Sequence, residues 1–351
     1  MFPCRWFRFP ILFGLLLTLT LTRGAVADSA PEPAADPTAR RYRILMLLWR
    51  GETEVEAGFK AYIQERELPF DLVIRDAAQN TANIPALVAE ARQLKPDLVY
   101  TWGTPLTLGV IGPYDQVDPA RHLTDLPVVF TMVAYPLESR LVPQFASSGR
   151  NVTGTTHTIP AESQIKAIRA YRPMNRLAAI YNPTEPNAVI NINELRKASQ
   201  RLNFELLAQP LPLDANGRPD ANALSGLLAQ LAAREPQFFY LGPDTWVSDH
   251  RQTITEEALR HHLPVFTSVD RPIKDSAVLM GLVAPYVHMG RFTAFKAEQI
   301  LMEGRLPQDL PIETLHRFSY IVKLPVARQL DLYPPLAILN YAEVIESITP
   351  P

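Results

Sequence analysis

The stretch KPDLVYTWGTP, residues 95 to 105, is an apolar run that stops at a Gly-Thr-Pro corner. The chain writes nearly the same phrase again at residues 235 to 245, EPQFFYLGPDT. A short continuous apolar run predicts a strand covered on both faces. The corner after it suits a helix start: Gly103 permits a tight approach, Thr104 can N-cap, and Pro105 fits the first helical position. A strand that ends at a helix N-terminus is half of a βαβ unit, so a second copy raises the question of duplication.

The pattern spreads outward from both copies. Ahead of the first lie RILMLLW and FDLVIRDA, each followed by a helical stripe, such as Val55, Phe59, Tyr62 and Ile63. After it comes LPVVFTMVAYP. The second half repeats the order with RLAAIYNP, FELLAQPL, PQFFYLGPDT and LPVFTSVDRP. Alternating strands and helices with apolar strands predict doubly wound parallel sheets with right-handed crossovers. Two copies predict two similar α/β lobes. Ligands collect at the carboxyl ends of such strands, so two facing lobes would share one cleft.

Residues 1 to 27 read as a cleaved signal peptide. Arg5 and Arg8 precede a 14-residue apolar stretch from Phe9 to Thr22, and Ala25-Val26-Ala27 is a cleavage signal. That stretch is shorter than the roughly 20 residues a membrane span needs. The only cysteine, Cys4, lies inside this segment, so the mature chain has no thiol. Residues 28 to 41 read as a flexible Pro/Ala leader. Of 34 basic residues, Arg5, Arg8 and Arg23 leave with the signal; 31 remain against 36 acids, a net charge of about −5. That balance argues against a nucleic-acid partner. An exported, periplasmic, monomeric protein of two lobes is expected.

The segments NVTGTT (151–156), AAIYNPTEPNAV (178–189), FYLGPDTWV (239–247), LPVFTS (263–268) and GRFTAFKAEQILMEGRLPQDLPIE (290–313) bring a family into view. Together they resemble the ABC-transporter substrate-binding proteins of the tryptophan/tyrosine type, over residues 42 to about 348. The resemblance implies the type I periplasmic binding protein fold and a receptor that closes on a small solute. It implies delivery to an ABC permease and its ATPase, with aromatic or other hydrophobic amino acids as ligands. It also implies chain crossings near Gly154, Gly281 and Tyr320. Lobe 1 would be 42–153 plus 282–319, and lobe 2 would be 154–281 plus 320–351. The chain departs from the family at Ala188, where relatives carry Ser, and at Tyr135-Pro136, where Asp-Pro is usual. It has Asp244-Thr245 in place of Asp-Asn. These departures point to a larger apolar ligand.

The expected ligand-binding residues sit at strand exits: Trp49, Glu52, Thr53, Gly103, Thr104, Tyr135, Thr155, Asn182, Glu185, Asn187, Asp244, Thr245 and Asp270. Free backbone N–H groups at a helix start suit a carboxylate. Asp244 and Asp270 could hold an ammonium, although an acid there also caps its helix. Trp102 and Trp246 are further candidates for cleft walls, and His157 is a weaker one. The His261-His262 pair reads as a helix-end feature. The sequence has no G-x-S-x-G elbow, H-E-x-x-H, P-loop or G-x-G-x-x-G. No catalytic set, metal site or cofactor is therefore expected. The alternatives are a sensor domain signalling to a membrane partner and, in another class, an enzyme using the same cleft.

Overall fold

A computed structural model describes residues 40–346. The signal segment and most of the leader lie outside the described residues. The first sheet holds β1 (Tyr42–Leu48), β2 (Phe70–Asp76), β3 (Leu98–Trp102), β4 (Val128–Val133) and β5 (Val152–Thr156). The second holds β6 (Arg176–Tyr181), β7 (Glu205–Pro210), β8 (Phe238–Leu241), β9 (Val265–Thr267), β10 (Met280–Val283), β11 (Ser319–Lys323) and β12 (Glu343–Ile345).

The orders are β2-β1-β3-β4-β5 and β12-β11-β10-β9-β8-β6-β7. Counted from its own first strand, each sheet runs second, first, third, fourth, fifth, and the second adds β11 and β12 at one edge. All pairings are parallel except β10 with β11. The expected doubly wound architecture in two lobes is what the chain forms. Its central strands are apolar on both faces because helices cover both: Ile44 to Leu48 of β1 and every residue of β3 and β4 are buried.

The chain passes from the first sheet to the second after Thr156. It leaves again after Val283, because the helix Tyr286–Leu301 packs on the helix Glu54–Glu65 and on β4 and β5. It returns at Ser319. The helix–helix seam is close: a Cβ on Gly290 would stand 1.8 Å from the Val55 carbonyl oxygen, so only glycine fits. Three buried hydroxyls, Thr131, Thr155 and Thr293, hydrogen-bond one another at 3.0 Å beneath that seam.

The corner that opened the sequence reading differs by one residue from its expected form. The helix begins at Thr104, and its cap position is Gly103, whose φ of 86° and ψ of 154° suit glycine. Strand β4 also departs from regularity. Its pairing with β5 shifts between Phe130 and Val133, and Met132 and Tyr135 both take φ of 54°. Left-handed backbone at side chains of this size is strain, and it lies at the carboxyl end of the sheet.

Candidate functional site

In a doubly wound sheet the crevice opens where strand order reverses, between β1 and β3 in the first lobe and between β6 and β8 in the second. The exits of all four strands meet around one narrow space of about 40 Å³. That is room for on the order of three waters. A solute as large as an amino acid enters only if the lobes part or the indoles swing.

The first lobe contributes Trp49 and Arg50 after β1, Trp102, Gly103 and Thr104 at the end of β3, and Met132. The Arg50 side chain is 5% exposed. Its guanidinium carbon sits 4.9 Å from the centre of the Trp102 ring. Thr104 is turned into its own lobe, where its Oγ1 accepts the Ala134 N–H at 3.1 Å.

The second lobe contributes Glu185, Asn187, Asp244, Thr245 and Ser248. Asp244 is the N-cap of the helix Thr245–Asp249: its Oδ1 accepts the Val247 N–H at 2.9 Å, and its Oδ2 accepts the Asn182 N–H at 2.6 Å. Glu185 stands at the cap position of the helix Pro186–Leu202 but makes no side-chain cap there. Its carboxylate reaches instead to the neighbouring helix start, accepting from the Thr245 N–H at 2.9 Å and the Thr245 hydroxyl at 2.9 Å. Asn187 Nδ2 also donates to it at 2.9 Å. Burial, and then repulsion from Glu185, pushes the Asp244 carboxyl up to about 8. Burial likewise raises Glu185, against the pull of its hydrogen bonds and of Arg50. His157, on the same space, is pushed down to about 4 by burial and then by Arg50.

Seven of the thirteen expected residues therefore line one space: Trp49, Gly103, Thr104, Glu185, Asn187, Asp244 and Thr245. The other six lie elsewhere. Glu52 and Thr53 face a separate hollow of about 350 Å³ that shares Arg50 and Tyr286 as its wall. Thr53 forms a capping box with Glu56, and Glu52 pairs with Lys60. Tyr135 lies behind the space, its hydroxyl donating to Asn191 of the other lobe at 2.7 Å. Thr155 belongs to the buried hydroxyl triangle. Asn182 ties the loop after β6 to Asp244, and its Oδ1 accepts from Thr184. Asp270 accepts the Tyr286 N–H at 2.9 Å and pairs with Lys274 at 2.8 Å. Trp246 is stacked on His250, with centroids 3.8 Å apart, away from the space.

Sequence reasoning missed Arg50, Met132, Ser248 and Tyr286. Arg50 had a usable signal, a base directly at the exit of a strand whose preceding residues are apolar. The other three carry no local mark.

The described residues contain eleven buried side-chain polar atoms without a hydrogen-bond partner. Six of them belong to residues around this space: Trp49, Arg50, Trp102, His157, Asn187 and Ser248. Buried polar groups are nearly always paired, so their concentration here marks the space as one built to meet something polar. No helix among the described residues is long and apolar enough to cross a membrane.

Comparison with known proteins agrees with this architecture. The chain is 22% identical over 240 residues to a tyrosine-binding protein of Clostridioides difficile, a match covering 68% of this chain and 64% of that relative. A conserved domain protein of Vibrio cholerae superposes with a TM-score of 0.75 at 19% identity, covering 87% of this chain and 99% of that one. An ABC domain from Streptococcus pneumonia solved in complex with L-Trp gives 0.72 at 18% identity, covering 86% and 100%. At these identities the superpositions speak for the fold, that of type I periplasmic binding proteins. The model of the family described as ABC transporter substrate binding protein matches residues 54–345, and this chain, with its two facing lobes, belongs to that family of extracytoplasmic solute receptors.

Proposed function

We propose that the protein is a periplasmic solute receptor that closes its lobes on an aromatic or other hydrophobic amino acid, or a related compound, and delivers it to an ABC permease. The observation that carries this reading is the interlobe space itself, where both topological switch points meet and unpaired polar atoms collect. The family, the tyrosine-binding relative and the neighbour solved with L-Trp support the ligand class. Lobe 1 is taken as 42–156 plus 284–318 and lobe 2 as 157–283 plus 319–346, each bound a few residues from the one expected, and the three chain crossings act as the hinge. Each lobe holds half of the site, so the ligand favours the closed arrangement by its differential affinity.

A thermal-shift screen against amino acids, peptides, sugars and aromatic acids tests this. Tryptophan, tyrosine or a branched amino acid at 100 times its dissociation constant is expected to add about 2.7 kcal/mol of stability. A shift produced by sugars or peptides alone would overturn the ligand class.

A further inference from the structure

The two halves of the interlobe space differ in what they leave unpartnered. On the first lobe's side the unpartnered atoms are Trp49 Nε1, Arg50 Nε and Trp102 Nε1. All three are hydrogen-bond donors with no acceptor capacity. On the other side, the carboxylates of Glu185 and Asp244 already accept bonds from Thr245, Asn187, Asn182 and Val247 within their own lobe, and the unpartnered atoms are the uncharged His157 Nδ1, Asn187 Oδ1 and Ser248 Oγ.

Arg50 is the unusual member. Its side chain is 95% buried, and its one ion-pair contact among the described residues is Asp249 Oδ1 at 3.6 Å. That oxygen is already held by Arg271 at 2.8 Å, and the other Asp249 oxygen accepts from Gln79 at 2.9 Å. Glu185 is near enough for its charge to be felt, but its oxygens bond elsewhere and none bonds Arg50. A buried guanidinium whose Nε is unpaired and whose ion-pair partner is 3.6 Å away and already engaged is costly, and a planar carboxylate offers it a matching bidentate face. Stacking on Trp102 keeps the guanidinium in place, and the two indole N–H groups stand on the same space.

We infer that Arg50, flanked by Trp49 and Trp102, receives the carboxylate of the ligand, so the acid group is what the site demands and the amino group is secondary. This rests on the solute-receptor reading and narrows its substrate class to hydrophobic carboxylic acids, with or without an α-amino group. Arg50 is then a specificity-determining residue of the first lobe.

Calorimetric titration of the protein with matched probes tests the inference. The panel holds three side chains (indole, phenol, isobutyl), each carried on an amino acid, on the acid without its amino group, on the amine without its carboxylate and on the alcohol. Wild type is expected to bind the amino acid and the deaminated acid of one side-chain set within about tenfold of each other, a single neutral or partly engaged hydrogen bond apart. The matched amine and alcohol are expected to bind at least about 10- to 100-fold more weakly, the range for a charge-assisted bond. Arg50→Gln should erase that preference for acids, and Arg50→Lys should restore part of it. Trp49→Phe is a second probe that keeps the ring and removes one donor, and a several-fold loss confined to the acids is expected. An amine that binds as tightly as its amino acid overturns the inference, as does an Arg50→Gln variant with wild-type affinity for acids. If deaminated acids bind and amino acids do not, the amino-acid reading fails while the role of Arg50 stands. If amino acids bind with no loss in Arg50→Gln, the reverse holds.

Discussion

The exits of β3 and β8 come from the same place in two copies of one sheet order, yet they have been put to different uses. At the β8 exit, Asp244 caps its helix, fastens Asn182 and is joined by Glu185, so the polar atoms are stitched into their own lobe. At the β3 exit the helix start is Gly103, with no side chain, and Thr104 turns inward to Ala134. The two indole N–H groups and the Arg50 Nε–H beside it are left without partners. One corner holds its charged groups in hydrogen bonds of its own. The other is unsatisfied and available. Duplication supplied the scaffold twice, and the difference in hydrogen-bond saturation separates structural support from recognition.

Breaking the saturated corner should have the largest effect. Asp244→Ala removes a cap and leaves the Asn182 N–H buried without an acceptor, which together should cost about 2–4 kcal/mol. Denaturant titration reads it, and a loss below about 1 kcal/mol would show that this corner is not saturated in the sense argued.

A pH series sharpens the same corner with a smaller effect. The folded Asp244 carboxyl titrates near 8 against an ordinary 3.8, so the native state keeps a proton that the unfolded state releases. Stability from this group is therefore lost as pH rises toward 8 and is level above it. Glu185, also raised, acts in the same direction. His157, folded near 4 against 6.5, works on the acid side and is neutral in both states above about pH 6.5. Between pH 6.5 and 8 the melting temperature should fall, and Asp244→Asn should flatten that slope. An unchanged slope in the variant would remove Asp244 as its cause.

The smallest expected change is at the open corner. Arg50→Met removes a buried charge whose ion pair with Asp249 is long, at 3.6 Å, so stability should stay within about 1 kcal/mol of wild type or rise. A loss of several kcal/mol would mean that Arg50 is a structural residue and that the contrast between the two exits is false.

Much of this is legible in the amino-acid sequence. Apolar runs such as RILMLLW and FFYL are strands because both faces are covered, and their order repeats because the whole unit does. The corners were legible as strand exits, which is why Trp49, Thr104, Glu185 and Asp244 were found together. What was not legible depended on which face or which neighbour a side chain meets. Thr155 lies on a strand buried on both sides, and nothing local says its hydroxyl will meet Thr131 and Thr293, from residues 24 and 138 positions away. Glu185 caps a helix 60 residues downstream, a partner that only the pairing of β6 with β8 brings near. Tyr135 was expected on the cleft wall and stands behind it, because β4 is irregular there and its φ is positive.

That position of Tyr135 carries a consequence of its own. Its hydroxyl crosses from the first lobe to Asn191 of the second, where Tyr240 also donates at 3.1 Å, so the bridge is built from the protein's own groups. The arrangement with the two lobes bridged thus has a stabilising term from the protein's own side chains. Apparent affinity scales with the fraction of molecules already competent to bind. Strengthening or loosening this bridge would rescale affinity for every solute by one common factor, leaving the ranking among solutes untouched. Selectivity and overall tightness are then set at separate addresses, and selection can turn either dial without disturbing the other.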